Sequence, residues 1–298
     1  MPEHDVAAVL DGLVDLHCHS GPNPFPREFD HAEGAKDGER LNMSAMLVKS
    51  HHHNTVMDLL AMQDRLAGIR TKVFGGIALN SQIGGLNPYA VAMSLRMGGR
   101  AVWFPTFSSR RHVEAHPEGG GFPTATFELP SGIVEVRDEE GKLRDEVFEI
   151  LDLVVESDVL LSAGHMYPDQ IHEVFTEGRQ RGVRRMVISH PNFVIDADPA
   201  QCRSFVELGA FVEHEVGQYD PYGNKKWDPA LLLDWIRAVG PEHTVLASDL
   251  GQQGRPLPVD AFTRVGAGLL RLGLSEAELR LMTVTNPGFL IGLTDEPA

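Results

Sequence analysis

The chain has 298 residues, 42% of them hydrophobic and 23% charged, which suits one α/β barrel of about 250 residues plus insertions. Its formal net charge of −16, from 42 acidic and 26 basic residues, argues against nucleic acid and anionic membranes as partners. Cys18 and Cys202 form no CxxC pair, the amino terminus lacks a signal-peptide pattern, and no apolar run approaches the roughly 20 residues of a membrane span. A soluble protein of the reducing cytoplasm is expected.

Eight apolar runs follow one another, each ending in polar or small residues. They are Val14–Leu16 into His17, Ala45–Val48 into Lys49, Lys72–Ala78 into Asn80, and Arg100–Phe104 into Thr106. Then come Val159–Ala163 into His165, Arg185–Ile188 into His190, Ala210–Glu215 into Gln218, and Thr244–Ala247 into Asp249. Helical patterns such as Thr55–Ile69, Tyr89–Met97, Pro168–Arg181 and Pro199–Leu208 lie between them. Alternating strands and helices imply parallel strands with right-handed crossovers, covered on both faces. Eight units predict a closed (β/α)8 TIM barrel forming a single domain over residues 1–298. Asp228-Pro229 and the Ser275/Glu278 capping box mark two helix starts.

Two connections exceed plain turns. Gly21–Leu41 follows the first strand. Ser108–Glu146, a long insertion after strand four, carries Gly119-Gly120-Gly121 and then a hairpin-like stretch around Ile133–Gly141. Both leave C-terminal strand ends, where barrel enzymes build their sites, and the insertion reads as a lid.

The chemistry gathers at the strand ends. His17 and His19 form an H-x-H pair whose alternation aims both imidazoles into the barrel mouth and Cys18 at the helices. Alone, that pair is equally a hydrogen-bonded one. His165, His190 and Asp249 close strands five, six and eight on the same rim, and four converging strand ends favour metal ligation over separate core histidines. Nitrogen and oxygen donors without thiolate suit Zn2+ first, with Mn2+, Ni2+ and Fe2+ compatible, as one or two ions. Among rim residues, His51, Trp103, Tyr167 and Arg110 are candidate substrate contacts, against plain packing or surface roles for the last three. Glu213 or Glu215 would support a ligating histidine.

With these features in order, the chain resembles the amidohydrolase superfamily of metal-dependent (β/α)8 hydrolases, and most nearly an uncharacterised subgroup of it. The tail Asn286-Pro287 to Gly292-Leu293 resembles the closing N-P-x-x-x-x-G-L segment common there. The resemblance implies that Asp249 both touches the metal and shuttles a proton. Binuclear members often carry a carbamylated lysine on strand four, and Trp103-Phe104-Pro105-Thr106 offers none. Lys49 on strand two is the substitute. It is a carbamate bridging metals, a cation for a substrate carboxylate, or the partner of an acid such as Glu213. The expected activity is hydrolysis of an amide, lactam, lactone or ester-like bond in a small molecule. A decarboxylase on the same scaffold and a non-catalytic binding barrel are the rivals, and a homo-oligomer is left open.

Overall fold

A computed structural model describes residues 3–116, 127 and 129–296. Among the described residues nine short strands run in parallel: β1 (Val14–Cys18), β2 (Ala45–Val48), β3 (Lys72–Phe74), β4 (Gly76–Ala78), β5 (Ala101–Trp103), β6 (Leu160–Ser162), β7 (Met186–Ser189), β8 (Ala210–Glu215) and β9 (Thr244–Ala247). They pair in the orders β1-β2-β3 and β4 through β9. Because β3 and β4 are halves of one chain segment, eight barrel positions result, as expected.

Gly75 divides that third position. A Cβ on the next residue, Gly76, would lie 2.3 Å from the Ala101 carbonyl oxygen, so only glycine lets β4 approach β5. Thr55 repairs the interrupted ladder. Its hydroxyl accepts from Gly76 N at 2.9 Å and donates to the Val48 carbonyl at 3.0 Å.

The first and last strands close the ring. Asp249 N donates to the His17 carbonyl at 2.8 Å, His19 N donates to that of Leu250 at 2.7 Å, and Cys18 bridges to Leu250 in parallel. Asp15, fully buried, reinforces the seam by accepting from Ser248 N at 2.9 Å and His17 N at 3.1 Å. Burial raises its carboxyl to about 6.

Alternation sorts the side chains. Val14, Leu16, Ala45, Leu47, Trp103, Phe211 and Val245 fill the interior, and Phe289, Leu290 and Ile291 from the closing tail pack into the same cluster. Asn286 ties that tail to the Thr244 carbonyl at 2.8 Å. Helices including Pro168–Arg181 and Pro258–Arg271 cover the outer faces. The Thr55–Ile69 pattern forms two helices, Thr55–Ala61 and Gln63–Leu66, parted at Met62. Asp228 caps Pro229–Val239, and Ser275 with Glu278 completes the capping box.

The insertion departs from expectation. It opens with a helix, Arg110–Ala115, and the expected hairpin is a single antiparallel bridge between Arg137 and Leu143. Ile133 and Val134 make no strand there: Val134 N instead bonds the Ser108 carbonyl at 2.8 Å. The Gly119–Gly121 run lies outside the described residues. No helix among the described residues is long and apolar enough to cross a membrane.

Candidate metal centre

The site forms at the C-terminal strand ends. β1 carries a register shift between Asp15 and Cys18, where three steps oppose two on β2. The bulge lets neighbouring residues share a face. Leu16 packs in the interior, His17 also reaches the centre, and Cys18 returns to the helix-facing cluster.

Two further residues sit in strained backbone. His190 has φ 58° and Asp249 φ 53°, left-handed values that cost non-glycine residues of order 1 kcal/mol or more. Neighbouring hydrogen bonds hold them there. His190 N donates to Glu215 Oε1 at 2.9 Å, and Asp249 N is held by the His17 carbonyl. Gly164 turns the chain before His165. Its φ is 61°, and a Cβ there would meet the Phe104 oxygen at 2.2 Å.

His17, His190 and Asp249 each present one ligand atom, all within 4.8 Å of one another. His17 Nε2 lies 3.6 Å and His19 Nε2 3.1 Å from Asp249 Oδ1. Two atoms bound tetrahedrally to one zinc at about 2.1 Å stand about 3.4 Å apart, so this spacing fits ligands sharing an ion. His19 strengthens the test. Its Nδ1 faces the Lys49 carbonyl at 3.0 Å while Nε2 faces the Asp249 carboxylate. A neutral ring donates only once, so one of these acceptors faces a lone pair unless a cation lies between. Burial pushes His19 down to about 4, which disfavours a proton as that cation. His165 adds an orphan: its Nε2 is buried without a hydrogen-bond partner. The residues present therefore fit a divalent ion.

Carboxylates on β8 stand behind the imidazoles. Glu213 accepts from His17 Nδ1 at 2.7 Å, and Glu215 Oε1 lies 3.0 Å from His190 Nδ1. Glu213 stands too close to His17 Nδ1 for an ion between them. Such carboxylates orient a ring and leave Nε2 for metal.

Charge follows burial. Burial, then Lys49, holds His17 well below its ordinary value, and burial likewise lowers His51 and His165. Burial also opposes protonation of His190, but Glu215 and Asp249 outweigh it and raise that group. Asp249 is the reverse case: burial opposes its charge, and the imidazoles of His19, His17 and His190 pull it well below the carboxylate range. Burial raises both Glu213 and Glu215.

Lys49 lies beneath the cluster, 1% exposed. Its Nζ stands 3.0 Å from His17 Nε2 and 5.6 Å above the Trp103 ring centre. No carboxylate among the described residues lies within ion-pair distance of it, so the expected alternative of pairing with Glu213 is not seen. Burial lowers its amine to about 8.

A small cavity, partly open to solvent, lies over these groups, with His19, His51, His165, His190 and Asp249 on its lining. Phe25, Phe107 and Phe193 form apolar walls. Phe107 stacks on His51, ring centres 3.8 Å apart, and His51 Nδ1 meets Thr106 Oγ1 at 2.7 Å. Trp103, Tyr167 and Arg110 do not line the cavity. Trp103 belongs to the buried interior under Lys49. The Tyr167 hydroxyl donates to the Glu114 carboxylate, and Arg110 pairs with Glu135 at 2.6 Å. Sequence reasoning missed several contributors, Phe25 and Phe193 among them. His112 places Nδ1 2.8 Å from His165 Nδ1, Phe107 covers His51, and Arg27 enters the cavity from the first long loop. The position of Phe107 and His112 just past strand four was the one available signal for two of them.

The architecture is that of a parallel α/β barrel, a fold shared with several metal-dependent hydrolases of known structure. An amidohydrolase from Pseudomonas aeruginosa superposes with a TM-score of 0.61 at 10% identity, covering 98% of each chain. A dipeptidase of the M19 metallopeptidase family gives 0.59 at 13% identity, over 94% of this chain and 98% of that one. The phosphotriesterase homology protein from Escherichia coli, with phosphate in its active site, gives 0.53 at 14% identity over the same shares. At such identities the likeness is one of fold. By sequence the chain belongs to a family of unknown function, DUF6282, whose model matches residues 12–213. No curated protein matches it by sequence.

Proposed function

We propose that the protein is a metal-dependent hydrolase that cleaves an amide, lactam, lactone or ester-like bond of a small molecule. The observation that carries this reading is the convergence of His17, His190 and Asp249 within 4.8 Å. Together with His19 and His165 they would hold the ion, Zn2+ first among the candidates, and Lys49 would complete the set as a carbamate. When bound, the ion brings the pKa of a water to about 7 and polarises the scissile carbonyl.

The protein's own groups do the rest. Asp249 accepts the proton of the attacking water and returns it to the leaving group. Gln218 Nε2, 3.2 Å from Asp249 Oδ2, steadies the carboxylate. Glu213 keeps a proton on Nδ1 of His17 and so leaves its Nε2 basic, while Glu215 accepts from His190 N and places its charge beside that ring. The phenylalanine walls keep bulk water from the reacting groups. The Lys49 amine, which no acid among the described residues contacts and which burial lowers to about 8, can combine as the free amine with carbon dioxide, losing a proton as the N–C bond forms.

Asp249→Asn tests the reading. The variant keeps the side chain's shape and one ligand oxygen, so folding and metal content should persist. Hydrolysis of a panel of N-acyl amino acids, lactams, lactones and aryl esters, measured at saturating metal, should fall by roughly 10²–10⁴-fold. Turnover equal to the parent protein would remove the proton-transfer role.

A further inference from the structure

Arg27 is the one guanidinium on the cavity lining among the described residues. Its backbone forms an antiparallel bridge to Gln252, and Gln253 N bonds the preceding Pro26 carbonyl at 3.3 Å. The long first loop is thereby fastened to the segment after Asp249, which fixes where the side chain starts.

The side chain makes no ion pair among the described residues, although Asp249 acts on it at longer range. Its Nε is buried without a hydrogen-bond partner, and no carboxylate among the described residues lies within ion-pair distance. Arg40, Arg65, Arg110, Arg137, Arg181 and Arg237 each hold a carboxylate. In a chain of net charge −16, acids are plentiful, and Arg27 still has none. Burial pushes the group down to about 10, so it stays cationic at neutral pH. A cation withdrawn from water without a partner is costly, and the cavity is where a compensating anion can enter.

We infer that the substrate is a small monocarboxylate, held by Arg27 through its carboxylate with an apolar or aromatic group against Phe25, Phe107 and Phe193. This rests on the hydrolase reading for its word substrate, and on the Arg27 environment for its chemistry. The planar fork of a guanidinium matches a carboxylate in two parallel hydrogen bonds. One fork neutralises one charge. A phosphate dianion would need further donors, and among the described residues on the cavity lining no second guanidinium or amine stands beside Arg27, so the ion of the proposed centre is the one other cation in reach and the phosphate competitor tests it. The assignment moves anion recognition from Arg110, which Glu135 occupies, to a residue in the cavity.

The test is binding without turnover, on the protein as purified with its metal. Phenylacetate and phenylacetamide have one shape and differ in charge, and inorganic phosphate serves as a competitor. Calorimetric titration should show phenylacetate binding roughly 10–100-fold more tightly than the amide, the range expected for hydrogen bonds to a charged group. Arg27→Met, of similar length and neutral, should abolish the preference, and Arg27→Lys should keep part of it. Circular dichroism verifies folding, and Arg27→Gln replaces the methionine variant if that one does not fold. A preference that survives in the neutral variant puts the carboxylate elsewhere, on the metal for instance, and overturns the inference. So does a parent protein without the preference, or one that phosphate occupies more tightly than phenylacetate. Hydrolysis is scored separately. A protein that selects carboxylates through Arg27 but hydrolyses nothing refutes the activity alone.

Discussion

Replacing Glu213 by glutamine probes how far the centre depends on the carboxylates behind it. Glutamine keeps an oxygen that accepts from His17 Nδ1, now 2.7 Å away, and removes the negative charge. Across the imidazole that charge stands about 7 Å from an ion at Nε2. A unit charge and a dication at that distance interact by about 5 kcal/mol at an effective dielectric of about 20, an upper bound because desolvation of Glu213 is regained. Carboxylates placed behind ligating histidines generally account for 10–100-fold in metal affinity, or about 1.4–2.7 kcal/mol. Glu213→Gln should therefore weaken Zn2+ binding by 10–100-fold, read by competing the loaded protein against graded chelator. Glu215→Gln should act similarly through His190, with part of its effect from the lost acceptor for His190 N. Metal affinity unchanged in both variants would refute the reasoning and place the ion away from His17 and His190.

Lys49→Met should lower metal stoichiometry and most of the activity if Lys49 is a carbamate bridge, with partial rescue by bicarbonate or short carboxylic acids. Unchanged metal content by elemental analysis would return Lys49 to the role of a cation. Thr55→Val keeps the shape of the side chain but leaves Gly76 N and the Val48 carbonyl without their shared partner. It should cost about 1–3 kcal/mol, seen as a lower midpoint in urea, and an unchanged midpoint would show that the broken ladder needs no repair. Glu278 is held down to about 2 by Arg237 first and by its cap to Ser275 N. A carboxyl depressed from 4.5 contributes stability above that pH and loses it as pH falls through about 2. Glu278→Gln should thus lose stability at pH 7, with the difference from the parent shrinking towards pH 2; a pH-independent difference would contradict the assignment.

The barrel was legible because parallel strands buried on both faces write continuous apolar runs, and because each run ended in a residue of unusual chemistry. His17, His19, His165, His190 and Asp249 could be grouped without knowing any distance, since strand ends of one barrel share a rim. Glu213 and Glu215 were visible only as acids on strand seven; which imidazole each supports depends on the barrel's closure. The division at Gly75 was hidden inside the single run Lys72–Ala78, because a local break in pairing leaves apolar content unchanged. Arg27 was unreadable for a different reason. A loop rich in proline and glycine has no periodicity to aim a side chain, and only its bridge to Gln252 brings it over the site. Trp103 shows the converse. Its position on a strand suggested a wall, but a residue inside the strand faces the interior layer, beneath Lys49 rather than above it.

The seam between β1 and β9 has a consequence for how the molecule is made. Asp15 and Ser248 are 233 positions apart, so the contact that closes the ring waits for nearly the whole chain to leave the ribosome. Until then β1 is an open edge, with unpaired amides and two imidazoles facing a half-built wall, the kind of edge that other chains can add to. Bringing the ends together also carries a loop-closure cost, borne before the closing contacts repay it. Capture of the proposed ion would thereby coincide with ring closure, late in synthesis. A ribosome-stalled chain that stops before Thr244 should hold zinc poorly however complete its first eight strands are.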